Sequence, residues 1–115
     1  MPKKAIEYNK QSLAIAKKIG DKRNESNALG SLGIGYYYLG KYKKAIDLYI
    51  QWLEITKEIG DKRDVGNVLG NLGNVYLALG EHKEAIDLYE QALTVYTEIG
   101  DKRGESASLG NLGST

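Results

Sequence analysis

The sequence predicts an all-α protein, an α-solenoid of antiparallel helix pairs with about six helices, and three observations predict it. A string of identical residues recurs every 40 positions: Ile-Gly-Asp-Lys-Arg stands at Ile19 to Arg23, Ile59 to Arg63 and Ile99 to Arg103. Inside each period the apolar residues fall three and four apart, as one face of a helix requires. Proline occurs once, at Pro2, so no interior stretch is barred from helix, while the 14 glycines recur at fixed phases of the repeat.

The elements follow in order. Ala5-Ile6-Glu7 is an earlier relative of Ala45-Ile46-Asp47 and Ala85-Ile86-Asp87, which makes a helix over 2–18 the second member of a pair. A helix over 22–39 carries Leu29-Gly30, Leu32-Gly33 and Leu39-Gly40, and one over 42–58 completes that pair. In a helix over 62–79, Val65, Leu69, Leu72, Tyr76 and Leu79 form one stripe. A broader stripe of Ala85, Ile86, Leu88, Tyr89, Ala92, Leu93 and Val95 suits a helix over 82–98 with neighbours on two sides. The pattern restarts over 102–113 with Leu109-Gly110 and Leu112-Gly113. Gly60 and Gly100 suit left-handed C-caps, Asp61 and Asp101 then cap the next helix, and Gly40 and Gly80 allow tight turns. Residues 1–115 therefore read as a single array: an unpaired second helix, two full pairs over 22–58 and 62–98, and an unpaired first helix.

Two packing expectations come from side-chain size. Gly33 and Gly73 lie mid-helix, where glycine costs about 1 kcal/mol relative to alanine. Their recurrence implies a close backbone approach by the partner helix, which Ala45 and Ala85 also fit. Trp52 stands where the next repeat has Ala92, and Gly66, in place of Ser26 and Ser106, is expected to make room for it.

Composition excludes several function classes. Lys and Arg number 16 against 15 Asp and Glu, too balanced for a polycation that neutralises phosphates, so no nucleic-acid partner is expected. Absence of cysteine removes disulfides, thiolate metal sites and a cysteine nucleophile. No apolar run approaches the roughly 20 residues of a membrane span, and Met-Pro-Lys-Lys-Ala leads into no signal-peptide core. A cytoplasmic protein without membrane contact is the expectation.

The phased set Leu72, Gly73, Tyr76, Gly80, Ala85, Tyr89 and Ala92 resembles the tetratricopeptide repeat signature. Leu32, Gly33, Tyr36, Gly40, Tyr42, Ala45 and Tyr49 repeat it. The resemblance implies a right-handed superhelix whose concave groove is lined mainly by each pair's first helix. The period exceeds the usual 34 residues by about six, lengthening the helices by roughly 9 Å. With Leu-Gly-Asn-Leu-Gly-Asn at Leu69 to Asn74, the 40-residue variant is similar to the Leu-Gly-Asn repeat adaptors of spindle orientation. It also resembles the tandem arrays of bacterial, notably cyanobacterial, proteins.

By that resemblance, the candidate peptide-binding groove is the face of each first helix opposite its apolar stripe. It comprises Asn27, Ser31, Ile34, Tyr37 and Tyr38, then Asn67, Asn71, Asn74 and Leu77, with Gly30, Gly70, Ala78, Ala107, Gly110, Asn111 and Ser114 alongside. Asparagine offers a donor and an acceptor to an extended peptide, and tyrosine offers flat area with a polar end. A protein or peptide partner is expected. The basic clamp that grips acidic chaperone tails is not, because Gly30, Gly70, Leu77 and Ala78 occupy its phase.

No catalytic constellation stands out. His82, the one histidine, takes the place of Tyr42 and reads as a turn-packing residue, so no metal or cofactor is expected. Gly35 to Lys41 imitates part of a phosphate loop but lacks its Ser/Thr and a preceding strand. Arg23, Arg63 and Arg103 read as surface partners of Asp21, Asp61 and Asp101, and Lys3, Lys4, Lys17, Lys18, Lys41, Lys43 and Lys44 make one end basic. The alternative to a groove-binding scaffold is a structural, self-assembling unit. In it the helices over 2–18 and 102–113 complete each other between copies, as a swapped dimer or a head-to-tail chain.

Overall fold

The computed structural model describes residues 2–115; Met1, where the expected array and the reading of the leader begin, lies outside them. Among the described residues there are six helices and no strand: α1 (Pro2–Ile19), α2 (Lys22–Tyr38), α3 (Tyr42–Ile59), α4 (Lys62–Ala78), α5 (His82–Ile99) and α6 (Lys102–Ser114). Their bounds lie within about one residue of the sequence reading. The chain forms two compact units, one ending at Ile59 with α1–α3 and one over Gly60–Thr115 with α4–α6. In the first, α2 packs against both α1 and α3; in the second, α5 packs against both α4 and α6.

Local chemistry explains the helix ends. Asp21, Asp61 and Asp101 each accept a hydrogen bond at 3.1 Å from the backbone N–H three residues on, giving α2, α4 and α6 their N-caps. Gly20, Gly40, Gly60, Gly80 and Gly100 all have φ between +71° and +84°, a region open to glycine at no steric cost. After α2, the N–H of Gly40 bonds the carbonyl of Tyr37 and that of Lys41 bonds Tyr36, both at 2.9 Å. This pairing satisfies carbonyls that the last turn leaves open, and it recurs at Gly20, Gly80 and Gly100.

Each unit's core combines aliphatic residues, such as Leu29 and Leu32 or Leu69 and Leu72, with small and aromatic ones. Ala45 and Tyr49 of α3 lie buried on α2, and Ala85 and Tyr89 of α5 lie buried on α4. The mid-helix glycines admit a ring rather than a backbone, which corrects the expected close helix approach. A Cβ on Gly33 would stand 2.5 Å from the Tyr49 ring, and one on Gly73 would stand 2.6 Å from the Tyr89 ring. Alanine at either position would collide with a buried, rigid neighbour.

Three further expectations need correction. Trp52 lies over Gly30, where a Cβ would be 2.9 Å from its indole, while Gly66 makes room for Tyr96, 2.8 Å away, and not for Trp52. His82 is exposed at the start of α5 rather than packed in a turn. The stripe of α4 also differs: Val68 and Val75 are completely buried, whereas Leu79, just past the helix end, is 46% exposed.

Candidate functional site

The residues expected to form the groove lie in different surroundings on α2 and on α4. On α2, Asn27, Ser31, Ile34 and Tyr38 are all exposed, and their steps of four, three and four keep them on one strip. Tyr38 is 76% exposed. Tyr37 is half-buried, its ring 5.3 Å edge-on from Tyr38 and 5.8 Å from Tyr42, so three tyrosines gather at the end of α2. Gly30 does not belong to this surface, because Trp52 covers it.

On α4, Asn67, Asn71, Asn74 and Leu77 are half-buried and the asparagines are already engaged. Tyr89 donates its hydroxyl hydrogen to Asn74 Oδ1 at 2.6 Å, and Tyr96 donates to Asn67 Oδ1. Asn67 Nδ2 donates to Asp64 at 3.3 Å, and Asn71 Nδ2 donates to the backbone carbonyl of Asn67 at 2.9 Å. These side chains satisfy tyrosines that enter from α5, so much of their hydrogen-bonding capacity serves the fold. Sequence reasoning missed this, because Ile34 and Thr56 occupy the matching positions of the other unit and hide the pairing. On α6, Ala107, Gly110 and Ser114 are exposed and Asn111 is half-buried.

Electrostatics in both units reflect burial and capping. Desolvation raises the hydroxyl pKa of Tyr49 well above its ordinary value, with Tyr37 and Tyr38 adding to the effect. Burial likewise raises that of Tyr96, with Asp101 and Asp64 reinforcing it. The backbone N–H of Gly104 holds the Asp101 carboxyl below its ordinary range, and Arg63 adds to this. Arg63 Nε donates to Asp101 Oδ2 at 2.9 Å, so this arginine reaches the N-cap of α6, 38 residues on, as well as lying near Asp61 in sequence. Among the described residues no group of three His, Cys, Asp or Glu side chains could hold a metal ion. None of their helices is long and apolar enough to cross a membrane.

A family model for the tetratricopeptide repeat matches residues 2–58 and 64–115. The chain belongs to the tetratricopeptide repeat family. Its repeats are thus of a kind that generally serves as a protein-interaction scaffold and is typically non-catalytic. A comparison with curated proteins finds no match. Among solved structures, the chain is similar to a signal transduction ATPase with numerous domains, carrying a tetratricopeptide repeat sensor, from Pyrococcus horikoshii. The identity is 29% and the TM-score 0.86, over 94% of this chain and 17% of that one. The tetratricopeptide repeat domain of Arabidopsis FLU is 27% identical with a TM-score of 0.76, over 81% of this chain and 78% of that domain. BtubC from P. vanneervenii shares the fold, with a TM-score of 0.88 at 22% identity over 98% of this chain and 48% of that one. The chain thus spans about a sixth of the archaeal ATPase and half of BtubC.

Proposed function

We propose that the chain is a non-catalytic, cytoplasmic protein-interaction scaffold that receives a peptide or protein segment on its first helices. The observation that carries this reading is the exposed strip of Asn27, Ser31, Ile34 and Tyr38 on α2, with Tyr37 beside it. The four strip residues are exposed, and with Tyr37 they combine flat apolar area with polar groups, the mixture that peptide anchors use. Within the second unit, Asn71 and Leu77 of α4 offer related chemistry of their own, whereas Asn67 and Asn74 act there by holding Tyr96 and Tyr89. The archaeal ATPase carries its repeats as a sensor, which supports a partner-receiving role. The 40-residue period and Leu69 to Asn74 support kinship with Leu-Gly-Asn adaptors or bacterial tandem arrays.

Peptide-display selection on the intact chain, followed by affinity measurements on Tyr38→Ala and Ser31→Arg, tests the reading. Both positions are exposed, so the fold should survive while affinity for selected peptides falls about tenfold or more. Selected peptides that bind both variants as tightly as the parent would remove the α2 strip from consideration.

A second reading, self-assembly through α1 and α6, draws on exposed apolar area. Tyr8, Ile15 and Ile19 of α1 are 60–68% exposed and line a groove of about 310 Å³, and Leu109 of α6 is 57% exposed. Opposite net charge favours a second copy as the occupant: the first unit has eleven Lys and Arg against six Asp and Glu, the second five against nine. Sedimentation that shows a monomer at every concentration and at low salt would eliminate this reading.

A further inference from the structure

Away from the α2 strip, a pocket of about 520 Å³ opens where the start of α1, the end of α2 and the start of α3 meet. Ile6 and Tyr36, both buried, give it an apolar floor with the exposed Leu39 at its edge, and its rim is basic, with the exposed Lys3, Lys10, Lys41 and Lys44 against the single carboxylate of Glu7. Lys10 Nζ lies 5.9 Å and Lys44 Nζ 5.2 Å from the Tyr36 ring centroid, so the ring face holds two ammonium groups near the floor. None of the four lysines forms an ion pair among the described residues.

The repeat supplies an internal control. Forty residues on, Tyr36 and Leu39 recur as Tyr76 and Leu79, but Lys41 and Lys44 become Glu81 and Glu84. Helices α3 and α5 start at the same phase with either sign, so folding does not require lysine there. Basic charge around this floor is therefore available for a ligand.

We propose that this pocket binds an acidic peptide segment, with carboxylates on the lysine rim and an apolar side chain on Ile6, Tyr36 and Leu39. Three features select that class. Each ammonium offers up to three donors to carboxylate oxygens. The net rim charge of +3 favours more than one carboxylate. The volume and apolar lining exceed what a lone phosphate would fill. This site is distinct from the strip in the proposed function and stands without it.

Fluorescence anisotropy and backbone amide NMR on the intact chain test it, with the labelled peptide acetyl-Glu-Glu-Leu-Glu-Glu-amide as probe. Expected are shifts clustered at Ile6, Lys10, Tyr36, Leu39 and Lys44, and binding that weakens as salt rises. The Gln-Gln-Leu-Gln-Gln counterpart should bind about tenfold more weakly, as should the acidic probe to the double variant Lys10→Gln, Lys44→Gln. Glu7→Gln removes the one rim carboxylate and should tighten binding severalfold, a gain that loss of folding cannot imitate. The proposal is overturned by shifts centred on Ser31 and Tyr38, by equal affinity for the Gln peptide, or by no tightening in Glu7→Gln. It is equally overturned if phosphatidylserine vesicles bind in a lysine-dependent way while the peptide does not.

Discussion

In the first unit Trp52 lies over Gly30; in the second the same phase holds Ala92 and Gly70, and nothing stands within 4 Å of where a Gly70 Cβ would be. The second unit instead sets Tyr96 against Gly66 and Gly104; a Cβ would stand 2.8 Å from its ring at Gly66 and would collide with it outright at Gly104. The first has Thr56 and Ser26 at the phases of Tyr96 and Gly66: Thr56 bonds back to the carbonyl of Leu53, and the buried Ser26 hydroxyl has no hydrogen-bond partner. Beyond the shared Tyr49 and Tyr89, each unit thus seats one further large aromatic at a different phase, Trp52 against one glycine and Tyr96 against two. The shared sequence sets the backbone; the paired ring and glycine set how each hairpin fills its interior.

The largest effect expected is from Trp52→Ala, which should lower stability by about 3 kcal/mol or more by emptying the space over Gly30. Chemical denaturation reads it, and a gain in stability would contradict the contact. Next, Gly30→Ala should destabilise by about 1–2 kcal/mol, because overpacking against the indole outweighs better helix propensity. In a Trp52→Ala background that penalty should vanish, a coupling that a double-mutant cycle measures. Gly70→Ala, at the same phase but in open space, should stabilise by up to about 1 kcal/mol. Equal effects at Gly30 and Gly70 would erase the distinction between the units.

Tyr96→Phe should cost about 1 kcal/mol, since it strips Asn67 Oδ1 of its donor. Smallest are the pH effects. Tyr49 and Tyr96 have raised native-state pKa values, so the stability they contribute is whole below the ordinary tyrosine value of 10.0 and drains away as pH rises past it. Unfolding midpoints followed above pH 10 should fall less steeply in Tyr49→Phe. Asp101 behaves oppositely: its depressed pKa contributes stability above the ordinary 3.8, lost as pH falls through the native value. Asp101→Asn should therefore flatten the acid limb.

The fold was legible because its information is local and repeated. Asp21, Asp61, Asp101 and the glycines before them mark every first helix, and three- and four-residue spacing marks the stripes. Pairing across helices was less legible, since spacing along the chain does not say which ring meets which glycine. Trp52 faces back 22 residues to Gly30 while Tyr96 faces back 30 to Gly66, so size alone assigned Gly66 to the wrong ring. The polar face was visible as a pattern, but not that Asn67 and Asn74 serve tyrosines of α5, which depends on side-chain reach between helices. Lys10, on one helix, and Lys44, on another, converge on Tyr36 for the same reason unseen in the sequence.

Left-handed glycine returns every twenty residues, from Gly20 to Gly100, with nearly one dihedral value. One joint geometry thus serves every connection among the described helices, whichever two it links. The turn of one joint could therefore stand in for that of another without changing how the chain reverses there.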